Sequence, residues 1–321
     1  MFAIVLLGLV ALGSLLGRDE RLGRDVPVVP TPPGTQGHEA TTEVEDPFAW
    51  ADDRKADFER RAAAGNANVL YRFSPGGAAA TARRTAHWRS AVEAAARAGD
   101  VDPDLVEALV FLESGGREDA LTGAGVEGAA GLGQIVAGTA RELLGMHVDG
   151  ARSRHLTRRI ERERRRGHAG KVRALEADRR RADERFDPAK ALAATGRYLA
   201  IAQRRFGRDD LALESYHMGI GNLEGVLRAF SGERSAAIAE VVRDEELSWA
   251  EVYFDSTARR HVAAHRRLRA FSDDSSNYYW KLLAARDVMA LWREDARRLD
   301  RLARAHTRKN SAEEVLHPPG E

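Results

Sequence analysis

The strongest constraint on the fold is an apolar helix that carries a carboxyl group at its end. Asp102 and Pro103 are a typical N-cap and first helical residue, and apolar residues follow them at helical spacing. That stripe consists of Leu105, Val106, Leu109, Val110 and Leu112. Glu113 continues the same spacing, so it projects from the apolar face. Gly115 and Gly116 end the helix directly behind it.

A carboxyl group on an apolar face has unusual acid–base chemistry. Burial disfavours the charged form, so we expect the pKa of Glu113 to rise and the group to stay protonated near neutral pH. A general acid that protonates a glycosidic oxygen requires this property. The alternative is that Glu113 bends into solvent or caps backbone amides at the helix end.

Three motifs in order carry a resemblance to a known family. They are Glu113-Ser114, Gly131-Leu132-Gly133-Gln134 and Ser215-Tyr216-His217-Met218-Gly219. Together they resemble the SLT-type lytic transglycosylase catalytic domain, a lysozyme-like (goose-type) fold that cleaves bacterial peptidoglycan. That family has Glu-Ser, then Gly-Leu-Met-Gln, then Ala-Tyr-Asn-Ala-Gly. The departures of this chain from that pattern include Gly133, His217 and Met218.

The resemblance implies a set of site residues. Glu113 is the implied catalytic acid/base, and Tyr216 is expected to donate a hydrogen bond to its carboxyl group. Asn277-Tyr278 resembles the family's closing helix, although Asp274 and Ser276 replace its Glu and Arg. The candidate substrate-binding residues are Ser114, Gln134, Tyr216 and Tyr278.

The implied reaction cleaves the bond between N-acetylmuramic acid and N-acetylglucosamine. Glu113 protonates the leaving oxygen and then takes a proton from the sugar's own 6-hydroxyl, which gives a 1,6-anhydro product without a metal or cofactor. A hydrolase normally needs a second carboxylate. Asp119 and Glu127 are near in sequence, but neither matches a family position. A hydrolytic muramidase of the same fold and a catalytically weak peptidoglycan-binding or assembly module remain alternatives.

Composition favours a mostly α-helical protein. The 321 residues include abundant Ala and Arg, with 43% hydrophobic and 31% charged residues. The chain contains no Cys, which excludes disulfides and thiolate metal sites. Its formal net charge of +1 does not indicate a nucleic-acid partner. His261 and His265 have a spacing that can bind a metal, but they are better explained as ordinary surface or core histidines.

The N-terminal region indicates export to the periplasm or cell envelope. The apolar run within residues 1–17 predicts a signal sequence or a retained membrane anchor. The Pro- and Gly-rich composition of residues 18–45 predicts a spacer. We predict a helical extension over 46–100, the catalytic domain over 101–300 and a charged tail over 301–321.

A basic insertion at 147–185 interrupts the predicted catalytic domain. Residues 152–185 contain 14 basic and 6 acidic residues and predict two helices that meet near residues 167–170. This hairpin either contacts anionic wall polymer or a membrane surface, or is a solvated hairpin with intrahelical ion pairs. Deleting 152–185 is expected to preserve the fold and to weaken binding to wall sacculi.

Overall fold

A computed structural model describes residues 49–123, 125–271 and 274–307, which are mostly α-helical, as the sequence predicts. Within these residues the helices are α1 (Lys55–Phe73), α2 (Ala78–Ala86), α3 (Arg89–Gly99), α4 (Pro103–Ser114), α5 (Ala137–Glu142), α6 (Gly150–Arg165), α7 (Ala169–Ala182), α8 (Pro188–Phe206), α9 (Asp209–Met218), α10 (Ile220–Ser231), α11 (Ile238–Asp244), α12 (Trp249–Asp255), α13 (Val262–Ala270) and α14 (Tyr278–Thr307). Two short strands, β1 (Ala129–Ala130) and β2 (Ile135–Val136), pair antiparallel. The predicted signal or anchor at 1–17, the spacer at 18–45 and the tail beyond 307 lie outside the described residues.

Helix α4 forms as its capping residues predict. The Asp102 side chain accepts a hydrogen bond from the Asp104 amide at 2.9 Å, and Pro103 is the first helical residue. Gly115 ends the helix with φ of 60°. Eight of the 12 residues of α4 are buried, because α2, α3 and α14 all pack against it. No described helix is long and apolar enough to span a membrane.

The three helices before α4 belong to the same hydrophobic core. Helix α1 packs along α14, and α3 packs closely on α8. A Cβ atom on Gly196 of α8 would lie 2.6 Å from the Ala95 carbonyl oxygen, so only glycine allows this approach. Arg84 and Trp88 donate hydrogen bonds to the Gly115 and Gly116 carbonyls at 2.9 and 3.0 Å. The N-terminal helices thus hold the end of α4.

Helices α6 and α7 form the basic hairpin and pack against each other through a small apolar cluster of their own. That cluster consists of Leu156, Ile160, Leu175 and Ala182. The loop after α4 and the segment before β1 are tied to the hairpin by ion pairs from Asp119 to Arg164 and from Glu127 to Arg154, both at 2.8 Å. The hairpin therefore packs on the rest of the protein.

The base of the hairpin holds the glycine-rich turn between β1 and β2. Arg185 and Asp183 are fully buried and ion-paired at 2.8 Å. The Arg185 guanidinium also donates to the carbonyls of Val126, Gly128 and Ile135. The structure therefore contradicts the expectation that residues 152–185 can be deleted without harm. That deletion would remove Arg185 and leave these buried carbonyls unsatisfied.

Candidate active site

Glu113 lies in the last turn of α4, and its carboxyl group meets the first residue of α14. The Tyr278 hydroxyl donates a hydrogen bond to Glu113 Oε1 at 2.7 Å. Tyr278 is buried, whereas Glu113 is half-buried. The carboxyl group therefore lies at the edge of the core, as the apolar helix face predicts, and the Tyr278 phenol holds it there.

Two opposing effects set the acidity of Glu113. Burial disfavours the charged carboxylate, whereas the hydrogen bond from Tyr278 favours it. Burial dominates and raises the pKa of Glu113 from 4.5 to about 7. Both protonation states are thus accessible near neutral pH, which suits a group that must first give and then take a proton.

Tyr216 does not make the hydrogen bond to Glu113 that the family resemblance implies. Its hydroxyl donates to the Gly133 carbonyl at 2.8 Å and lies 3.2 Å from Thr195 Oγ1. The bond to Glu113 comes from Tyr278 instead. Tyr216 supports the glycine-rich turn, because Gly133 has no side chain and lets the phenol reach the backbone.

Ser114 and Gln134 are both occupied by backbone contacts. The Ser114 hydroxyl is buried and donates to the Val110 carbonyl at 3.2 Å within α4. Gln134 has a φ of 45°, and its side-chain amide donates to the carbonyls of Gly131 and Ala120 at 2.9 and 3.2 Å. In this structure, Ser114 and the amide nitrogen of Gln134 organise the site. Their contact with substrate stays a prediction.

His217 lies in the candidate site, although in the sequence it is distinguished only as a departure from the family motif. Its ring stacks on that of Tyr278, with centroids 5.1 Å apart and planes 6° apart. Tyr216 and His217 are neighbours on α9, so one turn of this helix contacts both the glycine-rich turn and the phenol that holds Glu113. The only signal in the sequence was the presence of His where the family motif has Asn.

The other candidate groups lie in different surroundings. Asp119 and Glu127, considered as second carboxylates, form ion pairs with arginines of the hairpin. His261 contacts the Phe230 carbonyl and the Asp255 carboxylate, and His265 contacts the Ser256 carbonyl. The residues that the structure describes contain no group of three or more side chains arranged to hold a metal ion.

Comparison with known proteins points to one class of enzyme. No protein-family model matches the chain. The endo-type membrane-bound lytic murein transglycosylase A of Citrobacter koseri is 25% identical over 224 residues, which cover 68% of this chain and 90% of the relative. Proteins of the same name from Salmonella paratyphi B and Salmonella enteritidis are 27% identical with the same coverage. The chain is therefore distantly similar to proteins named lytic murein transglycosylases. This similarity supports the enzyme class that the three motifs predict.

Removing the Tyr278 hydroxyl tests how Glu113 is held. Tyr278→Phe keeps the ring stacked on His217 but deletes the donor that stabilises the carboxylate. We expect the pKa of Glu113 to rise further, so the alkaline limb of the pH–rate profile moves to higher pH. The rate should fall about 10-fold, since a hydrogen bond to a charged group is lost. Tyr216→Phe is the matched control, and an equal pH shift in that variant would contradict the assignment.

A side chain at Gly133, where the family motif has Met, would clash with its neighbours. Its backbone lies outside the left-handed region, but a Cβ atom would lie 2.4 Å from Thr195 Oγ1 and 2.8 Å from the Tyr216 hydroxyl. Gly133→Ala should therefore lower the free energy of unfolding by about 1–3 kcal/mol through overpacking. Urea denaturation measures this. Adding Thr195→Ala should restore part of the lost stability. If the effects of the two substitutions on the free energy of unfolding simply added, the proposed clash would be contradicted.

Proposed function

We propose that the protein is a peptidoglycan lytic transglycosylase of lysozyme-like fold in the cell envelope. It would cleave the bond between N-acetylmuramic acid and N-acetylglucosamine, with Glu113 as the single acid/base residue. The observation that carries the proposal is the Glu113 carboxyl group, with its pKa raised to about 7 and a phenol donor at 2.7 Å. The distant similarity to lytic murein transglycosylases supports the choice of substrate.

The proposed reaction uses both protonation states of Glu113. The protonated carboxyl donates its proton to the glycosidic oxygen as the bond to the leaving sugar breaks. Tyr278 then stabilises the carboxylate that remains. This carboxylate accepts the proton of the substrate's 6-hydroxyl while that oxygen forms the new bond at C1. An internal hydroxyl reacts faster than water because it is already positioned at the reacting carbon.

Product analysis tests this reaction directly. Purified peptidoglycan is digested with the wild-type protein and with Glu113→Gln, and the released muropeptides are identified by mass spectrometry. We expect 1,6-anhydromuropeptides from the wild type alone. Products with reducing ends would instead establish a hydrolytic muramidase. Binding without any cleavage by either protein would establish a peptidoglycan-binding module.

The outer face of the hairpin is proposed to contact anionic polymer of the cell wall. Arg158, Arg159 and Arg162 are exposed on one face of α6, and none has an ion pair with a described residue. Three neighbouring cations without counter-ions create a local positive potential, although the whole chain is nearly neutral. This face therefore attracts a polyanion more strongly than the paired arginines do.

Neutralising this face should weaken binding to wall sacculi. For the triple variant Arg158→Gln, Arg159→Gln and Arg162→Gln we expect a loss of about 10-fold to 100-fold at low salt, since each basic group near an anionic surface contributes about 1 kcal/mol. Co-sedimentation at several salt concentrations measures it, and the difference should shrink as salt screens the charges. The control changes Arg204, Arg266 and Arg269 to Gln. Equal loss in both triples would contradict a role for this face.

A further inference from the structure

A groove lies between the hairpin and the loop that follows Glu113. Its volume is about 250 Å³, and its walls are residues 116–119 on one side and parts of α6, α7 and Phe186 on the other. The loop starts three residues after Glu113. The reach of four residues limits the Cα atoms of Glu113 and Arg117 to a separation of about 14 Å. The groove is therefore close to the candidate active site.

The carboxylates that line this groove already have partners. Arg164 contacts Asp119 at 2.8 Å and Glu176 at 2.6 Å. Arg180 contacts Glu118 at 2.6 Å. Two arginines thus form ion pairs with all three carboxylates of the lining. The two other arginines of the lining, Arg117 and Arg179, form an ion pair with none of these carboxylates.

Arg179 takes part in none of these ion pairs. It is only 4% exposed, and its guanidinium lies 3.8 Å from the centre of the Phe186 ring. One nitrogen donates a long bond of 3.4 Å to Thr157 Oγ1, and Nε has no hydrogen-bond partner among the described residues. Within the same residues, no carboxylate lies at ion-pair distance from it. Asp119, Glu176 and Asp183 act on Arg179 only from beyond ion-pair distance. A buried cation that no carboxylate contacts directly is costly, so the position suits an anion supplied by a ligand.

We propose that this groove, the Arg179 groove, binds a carboxylate of the peptide stem of peptidoglycan. Arg179 would be the buried cation, and the exposed Arg117, which donates to the Ser114 carbonyl at 3.0 Å, would stand at the rim. A guanidinium matches a carboxylate through two parallel hydrogen bonds. The stem is attached to the muramic acid next to the bond that Glu113 would cleave, so this inference rests on the proposed function. The carboxylates of the lining would accept hydrogen bonds from the amides or amine of the stem.

Two kinds of glycan strand test the Arg179 groove in the full-length protein. One carries intact stems, and the other has had its stems removed by an amidase. We expect Arg179→Met, which keeps the contact with Phe186, to lower the ratio of kcat/KM for intact over stripped strands by about 10-fold or more. Arg181→Met, an exposed residue two positions further on α7, should keep the wild-type ratio. An unchanged ratio in Arg179→Met would overturn the proposal.

Direct binding separates this inference from the proposed function. Calorimetry compares a free stem peptide with the same peptide whose carboxylates are converted to carboxamides. The wild type should bind the acid form about 10-fold more tightly, and Arg179→Met should lose that preference. If Arg179→Met does not fold, Arg117→Gln at the rim should reduce the preference. Equal binding of both peptides by the wild type would overturn the proposal that the Arg179 groove binds a carboxylate. Retained preference without any glycan cleavage would overturn only the enzymatic function.

Discussion

Replacing Glu113 with glutamine is expected to lower the rate of glycan cleavage by about 10³-fold, because general acid catalysis typically contributes about 10²–10⁴-fold. The amide keeps the size of the side chain and can still accept the Tyr278 hydrogen bond. It cannot donate a proton to the glycosidic oxygen or accept one from the 6-hydroxyl. The initial rate of release of soluble muropeptides from purified peptidoglycan measures the effect.

The same substitution is expected to stabilise the fold at alkaline pH. The pKa of Glu113 is raised from 4.5 to about 7 in the folded protein. Between pH 4.5 and pH 7, the Glu113 carboxyl group ionises more readily in the unfolded chain, where it is better solvated, than in the folded protein. The free energy of unfolding of the wild type therefore falls as pH rises through this range. Glutamine does not ionise, so the variant keeps its stability. We expect the two proteins to be equally stable near pH 4 and the variant to gain about 3 kcal/mol at pH 8.

Denaturation at both pH values, together with the rate, gives a combined test. Glu294→Gln is the matched control, since Glu294 is an exposed residue 16 positions beyond Tyr278 on α14, or about 24 Å along the helix. That variant should change neither the rate nor the pH dependence of stability. A Glu113→Gln protein that cleaves normally would remove Glu113 from the mechanism. One that is no more stable at pH 8 would contradict its raised pKa.

Replacing Arg185 with methionine is expected to lower the free energy of unfolding by about 3–5 kcal/mol, the typical cost of removing one partner of a buried ion pair. Asp183 would remain fully buried without its counter-ion, and the carbonyls of Val126, Gly128 and Ile135 would lose their donor. The glycine-rich turn also lies against the backbone of Arg185, since a Cβ atom on Gly131 would lie only 1.8 Å from the Arg185 carbonyl oxygen.

Chemical denaturation of Arg185→Met and Arg181→Met separates the buried pair from an exposed one. Arg181 belongs to the same segment and pairs with Asp178, but its side chain is 71% exposed. We expect its loss to cost less than about 1 kcal/mol. Adding Asp183→Leu to Arg185→Met should restore part of the stability by removing the orphaned charge. Equal effects of the two arginine variants would show that the buried pair does not hold the turn.

Helix α4 and its terminal carboxyl group could be predicted from the sequence because the signals are local. Asp102, Pro103 and Gly115 set the ends of α4, and the apolar spacing between them places Glu113 at the edge of the core. The same local periodicity predicted the two helices of the basic hairpin. Neither prediction required knowledge of a distant partner.

The contacts that complete the site were decided by the tertiary structure alone. Tyr278 is 165 residues from Glu113, and nothing near either residue indicates that this phenol reaches the carboxyl group ahead of Tyr216. In the sequence, Arg185 is one of many basic residues of a hairpin that could be solvated. In the structure its side chain is fully buried beneath the glycine-rich turn. Helix periodicity determines which face of an element is apolar. Only the packing of α4 and α9 against α14 determines which polar groups on those faces meet.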